Sequence, residues 1–222
     1  MRPAVGTTNH LPGTPPEWSP PPGTPAPGPA PERQPSLPMI LTTSLAPDPV
    51  RSELLRRRII VATGPLDDAA AEQVSAELVL LDNENQDEIT LHLASRDAGI
   101  DAALTLIATI DLIAAPVHAI ATGSVEGAAV AVFAAADRRT AHPHAAFILR
   151  QPKAGFDGDA ESLRVAADAH QRDLATICGR IAATTGRAPD EVAEDLRRGR
   201  LLTVADAEDY GLISPDGSGS DG

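Results

Sequence analysis

Apolar positions along the chain switch period several times, and each switch predicts an element. Arg51 to Arg58 reads as a short helix leading into a strand at Ile59–Ala62, with Thr63-Gly-Pro65 turning the chain. From Leu66 to Leu81 the apolar residues Ala70, Val74, Leu78 and Leu81 recur at helical spacing, and Asp67 or Asp68 is placed to cap that helix. Asn83–Asp87 is polar and reads as a loop. Glu88–Ala94 then alternates strictly, so Ile89, Leu91 and Leu93 share one face of a strand. Ser95–Gly99 turns into a helix over Ile100–Leu112, and Pro116 leads in a short apolar strand, Val117–Ala121. Ala121-Thr-Gly-Ser-Val-Glu-Gly127 predicts a tight glycine turn. Behind it, Ala128–Ala136 is nearly all apolar and rich in alanine, the best helix former, and predicts a buried helix.

The second half continues the alternation. Arg138–Pro143 reads as a connector, Ala145–Leu149 as a strand, and Gln151–Gly158 as an excursion broken by proline and glycine. Asp159–Thr185 is the longest helical stretch, with a broad apolar stripe through Leu163, Val165, Leu174, Ile177 and Ile181, and Gly186 is placed to end it. Pro189–Arg198 has proline and acids in its first turn and arginines in its last, as a helix dipole favours. Thr203–Tyr210 predicts a further helix with Gly211 as its cap. Strands alternating with helices imply an α/β fold built on a mainly parallel sheet.

Composition sets the ends apart from this ordered body. Fifteen of the 21 prolines lie in residues 1–50. Such a segment buries too little apolar surface to offset its chain entropy, so residues 1–49 are expected to be a disordered tail, with Pro20-Pro-Pro22 more plausibly linker than ligand. Residues 50–213 form the expected domain, and 214–222, rich in Ser, Gly and Asp, a flexible end. The net charge is −13, and residues 59–222 hold 12 basic and 27 acidic groups. That balance disfavours nucleic acid or an anionic membrane as partner. The lone Cys178 excludes an internal disulfide framework and a cysteine metal cluster. With no apolar signal segment and no membrane-length run, a cytoplasmic location is expected.

Candidate chemistry gathers at Gly123-Ser124-Val125-Glu126-Gly127. A strand followed by a buried helix places free backbone N–H groups and positive partial charge at the helix start. The spacing differs from the G-x-S-x-G nucleophile elbow, and a serine among glycines before a helix is more often a cap or turn residue. Glu126 is expected to act on the helix dipole rather than as a catalytic acid. His92, His118, His142, His144 and His170 read as ordinary polar histidines.

Four stretches in order resemble the proteolytic subunit of the caseinolytic (Clp) protease. They are Leu54–Ile60, Arg150-Gln-Pro152 with Gly155 and Gly158, the long helix after it, and Leu201–Ile213, which is similar to the family's Ser-Ala-x-Glu-Ala-x-x-Tyr-Gly-Leu-Ile segment. The resemblance implies a crotonase-like fold with a projecting handle helix and a serine endopeptidase activity using Ser, His and Asp. It also implies stacked rings of Clp-type subunits served by an AAA+ ATPase, with no cofactor and no metal. The family's functional positions fall here on Val125 for the nucleophile, Arg150 for the base and Gly199 for the acid. The oxyanion glycines fall on Ser95, Arg96, Asp97 and Ala98. All four depart from the pattern. Valine has no nucleophilic atom, arginine stays protonated, and glycine has no carboxylate to orient an imidazole. The resemblance therefore implies a degenerate subunit, structural or regulatory in a Clp complex; a cation at Arg150 is expected either to pair with Glu126 or Asp97 or to face the water of the chamber. The alternatives are an active peptidase using Ser124 with a relocated base, and a crotonase-like acyl-binding protein.

Overall fold

The computed structural model describes residues 48–152, 155 and 158–214. The expected disorder of the N-terminal segment falls on residues 1–47, outside the described residues, as does the expected flexible end from 215 on.

The first helix begins earlier than its apolar pattern suggests. Helix α1 spans Pro49–Arg56, with proline in its first turn and the Asp48 carboxylate accepting from Val50 N–H at 3.0 Å. Strand β1, Ile59–Thr63, follows after Arg58, which adopts φ +58°. Its guanidinium donates to the carbonyls of Leu81, Asn85 and Asp87, so a cation closes the carboxyl end of α2, Asp68–Glu84. Asp67 caps the other end, its carboxylate accepting from Ala70 N–H at 2.9 Å. Strand β2 is Ile89–Ser95, with the expected alternation of buried and half-buried positions, and α3 is Ile100–Leu112.

The expected tight turn at 121–127 is not there. Strand β3 runs from Val117 to Glu126 without a break, and only Gly127 turns, at φ +59°. The strand survives because it changes partners. Its first half pairs with β4, Arg138–Ala141, and its last residues pair with β5, Ala146–Leu149, both in parallel. Against β2 the register jumps from Leu93–Ala121 to Ser95–Val125, a bulge that takes in Thr122-Gly-Ser124. Gly123 sits inside it because a Cβ there would meet the Ala94 Cβ at 3.3 Å. Strand β4 was expected as a connector; its polar residues form an edge ladder, which leaves no apolar alternation to read.

Helix α4, Ala128–Ala135, is buried along nearly its whole length and packs against α3 and α5. Phe133 on it and Phe147 on β5 meet at 4.9 Å between ring centroids, two of the few aromatics in a core of Ala, Val, Ile and Leu. Helix α5, Ala160–Thr185, is capped by Asp159 and closed by left-handed Gly186. Only its second half is buried, at Ile177, Cys178, Ile181 and Ala182, while Leu163 and Val165 stand 37% and 53% exposed. Helix α6, Pro189–Arg198, ends at left-handed Gly199. A three-residue strand that the apolar pattern does not show, β6 at Arg200–Leu202, then pairs antiparallel with β5. Helix α7, Val204–Tyr210, opens on a capping box between Thr203 and Asp206. The sheet order is β1-β2-β3-β5-β6, with β4 beside β3 and every pair parallel except the last. The expected α/β architecture with a mainly parallel sheet and a long projecting helix is therefore what forms.

Candidate active site

Register gathers positions far apart in the chain. Val125 lies opposite both Ser95 and Phe147, and Gly127 N–H donates to the Ile148 carbonyl at 2.9 Å. Gly127 takes φ +59°, a backbone conformation that favours glycine, and its Cα lies against the Arg150 carbonyl. Arg200 pairs with Leu149 in the antiparallel register, so Arg150, just past the end of β5, and Gly199, just before β6, come to the same end of that pair. Val125, Arg150 and Gly199 thus come to one corner of the sheet. Val125 is fully buried and faces the core. Gly199 is explained locally, as the cap of α6 at φ +75°, donating to the Asp195 carbonyl at 3.1 Å.

Alternation along β3 sends Ser124 and Glu126 to the face opposite Val125. The Ser124 hydroxyl donates to Glu126 Oε1 at 2.8 Å, and Arg150 Nε donates to Glu126 Oε2 at 3.1 Å. Arg150 also donates through Nη2 to the Arg96 carbonyl, tying the end of β5 to the end of β2. The Glu126 side chain is 13% exposed, and its pairing with Arg150 is one of the outcomes expected for a cation at that position. No side chain caps α4 by a hydrogen bond; Glu126 stands directly before its N-cap, Gly127, with its carboxylate held by Ser124 and Arg150.

The oxyanion candidates divide. Ser95 is buried, its hydroxyl donating to the Asp97 carbonyl at 3.0 Å. That carbonyl also accepts from Leu66 N–H at 2.7 Å, and Gly99 N–H donates to the Leu66 carbonyl at 3.0 Å, which fixes the segment through a bridge between Leu66 and Ala98. Arg96 and Asp97 project outward. The Arg96 side chain is 83% exposed and reaches Glu126 only loosely, at 3.9 Å. With Gly64, Pro65, Ala94 and Ser124 they line an open pocket of about 440 Å³. The contribution of Gly64 and Pro65 is missed by a reading of the sequence, which shows them only as a turn.

The histidines lie elsewhere in the bonding pattern. Nε2 of His118 hydrogen-bonds Thr140 Oγ1 at 2.8 Å, and its Nδ1 lies 3.7 Å from Glu88. Burial, reinforced by Arg138, pushes the His118 pKa below its ordinary 6.5. His142 and His144 face each other at 5.6 Å between rings. Among the described residues, no three His, Cys, Asp or Glu side chains are placed to hold a metal ion, and no helix is long and apolar enough to cross a membrane.

The family model of the Clp protease matches residues 46–215. The chain belongs to the Clp protease family. That match covers every element from α1 to α7 and includes the corner where Val125, Arg150 and Gly199 meet. Within the Clp protease family frame, the corner presents a buried valine, a paired guanidinium and a helix-capping glycine.

Proposed function

We propose that this chain is a Clp-type subunit that cleaves no peptide bond itself and serves a Clp proteolytic complex as a structural or regulatory member. One observation carries the reading: Arg150, at the position implied for the base, is bound to Glu126 and to the Arg96 carbonyl, beside a valine that has no nucleophilic atom. A guanidinium cannot accept a proton from an attacking hydroxyl. The experiment is to treat the full chain with a fluorophosphonate and with short fluorogenic peptides. Neither labelling nor cleavage is expected.

A second reading has its own support. The 2.8 Å hydrogen bond from Ser124 to Glu126 is a hydroxyl aimed at a carboxylate, the minimum arrangement for a relocated nucleophile and base. Labelling that disappears in Ser124→Ala would establish it and sink the first. Assembly is part of the proposal as well. The first half of α5 leaves Leu163 and Val165 uncovered, which suits a partner subunit, this chain again or an active Clp relative. Leu163→Asp with Leu174→Asp should break that association, because a charge buried without a partner is costly. A protein that stays monomeric by light scattering and captures no Clp subunit from lysate would defeat the assembly reading. An AAA+ ATPase is the further partner proposed on the family relation.

A further inference from the structure

Two histidines stand apart from the polar groups that the fold puts to use. His142 and His144 flank Pro143 in the turn between β4 and β5. Ala145 N–H donates to the His142 carbonyl at 2.8 Å, which makes Pro143 the second residue of a four-residue turn, where its fixed φ is favoured. His142 N–H donates to the Ala121 carbonyl at 2.8 Å, so the turn is tied to β3 at one end, and buried Ala145 anchors it at the other. Both histidines are exposed, and their ring centroids lie 5.6 Å apart with the planes tilted by 48°. Neither ring makes a hydrogen bond or ion pair among the described residues, unlike His118, whose Nε2 is bonded to Thr140. The fold therefore holds two nitrogen donors side by side with no carboxylate to pair them, and two imidazolium ions at that distance would repel.

We propose that His142 and His144 together bind one divalent transition-metal ion, copper(II) or zinc, at an exposed site whose other coordination positions are filled by water. Neutral imidazole suits these ions, whereas magnesium and calcium take oxygen ligands. With metal–nitrogen bonds of about 2.0–2.1 Å, two imidazoles on one tetrahedral ion hold their centroids roughly 5 Å apart. The observed 5.6 Å is a small side-chain adjustment from that, and exposed side chains rotate freely. The tied turn does the rest: it keeps both histidines on one short loop before the metal arrives, so little chain entropy is lost on binding. Two protein ligands are fewer than the four of a closed structural zinc centre, so the ion exchanges readily and the fold does not depend on it. The proposal stands apart from the Ser124 site and holds whether or not the chain cleaves peptides.

The test is titration of the metal-stripped full chain, with copper(II) followed by electron paramagnetic resonance and with zinc followed by calorimetry. One ion per chain is expected, and the copper spectrum should show coupling to two imidazole nitrogens. His142→Gln and His144→Gln should each weaken binding by roughly tenfold or more and reduce the coupled imidazoles to one. His92→Gln on β2 and His10→Gln in the proline-rich segment should change neither. An excess of magnesium should not compete, and acidification to about pH 5 should release the ion, because protons take the same nitrogens. Thermal midpoints of the metal-free variants should match that of the unaltered chain, so that lost binding is not lost folding. No binding, a single coupled imidazole in the unaltered chain, unchanged affinity in either turn variant, an equal loss in His10→Gln, or one ion shared between two chains would each overturn the proposal.

Discussion

Glu126 and Asp195 keep nearly the same company and do different things with it. Glu126 accepts from the Ser124 hydroxyl at 2.8 Å and from Arg150 at 3.1 Å. Asp195 accepts from the Tyr210 hydroxyl at 2.9 Å and from Arg200 at 3.1 Å. Their side chains are equally sheltered, 13% and 11% exposed. The difference lies in what surrounds each trio. Around Asp195 the fold closes: Tyr210 is fully buried, and Arg187 stacks over its ring at 4.0 Å. That burial and the hydrogen bond to Asp195 push the Tyr210 hydroxyl well above its ordinary range, so it stays protonated and donating. Around Glu126 the fold stays open, with Ser124 and an exposed arginine on a pocket. A carboxylate, a hydroxyl and an arginine therefore do not by themselves mark a site. Access marks it, and the Asp195 trio shows how such a cluster looks when it only holds α6, β6 and α7 together.

The comparison can be broken from its structural side first. Asp195→Ala leaves the buried Tyr210 hydroxyl unpaired and Arg200 without its partner, and should cost about 3 kcal/mol. For a domain of this size that is a fall of roughly 10 °C in the thermal midpoint, read by calorimetry. A loss below a tenth of that would mean the closed trio is not structural. Arg150→Ala should cost less, about 1–2 kcal/mol, because Glu126 keeps Ser124 and can draw on Arg96 and water. Equal losses for the two variants would erase the distinction drawn here. Ser124→Ala should change stability by under about 1 kcal/mol, its hydroxyl being only one partner of a half-exposed network.

The smallest effect belongs to pH and reports on neither trio. The folded-state pKa of His118 lies below the ordinary 6.5 because burial disfavours its cation; Arg138 and His92 add to this and Glu88 partly opposes it. The unfolded chain therefore binds this proton more readily than the folded one. The associated stability is complete above pH 6.5 and is lost as the pH falls from there toward the folded value. His118→Gln should flatten that part of the curve in chemical denaturation between pH 7 and pH 5. An unchanged slope would show that His118 does not titrate differently on folding.

Periodicity by itself determined most of the elements. Strand β2 shows in the alternation of Ile89, Leu91 and Leu93, and α5 in its long apolar stripe, because each repeats at a backbone period, β2 along its whole length and α5 in its second half facing the core. Caps were legible for the same local reason: Asp67, Gly186 and Gly211 act within a few residues of themselves. The candidate positions Val125, Arg150 and Gly199 were also legible as residues, through the resemblance. What they do to one another was decided by tertiary structure. Strand β3 continues through three polar or small residues because β5 pairs with its end and the strand itself bulges against β2, and neither partner is near in sequence. Strands β4 and β6 exist only as ladders on neighbours already in place. The side of β3 that Ser124 and Glu126 face follows from where that bulge falls, since a shift of one residue exchanges the two faces of a strand. Arg150 finding Glu126, Asp195 being sealed beneath Tyr210, and Arg96 being left at the mouth of a pocket all depend on contacts across tens of residues, which local pattern does not encode.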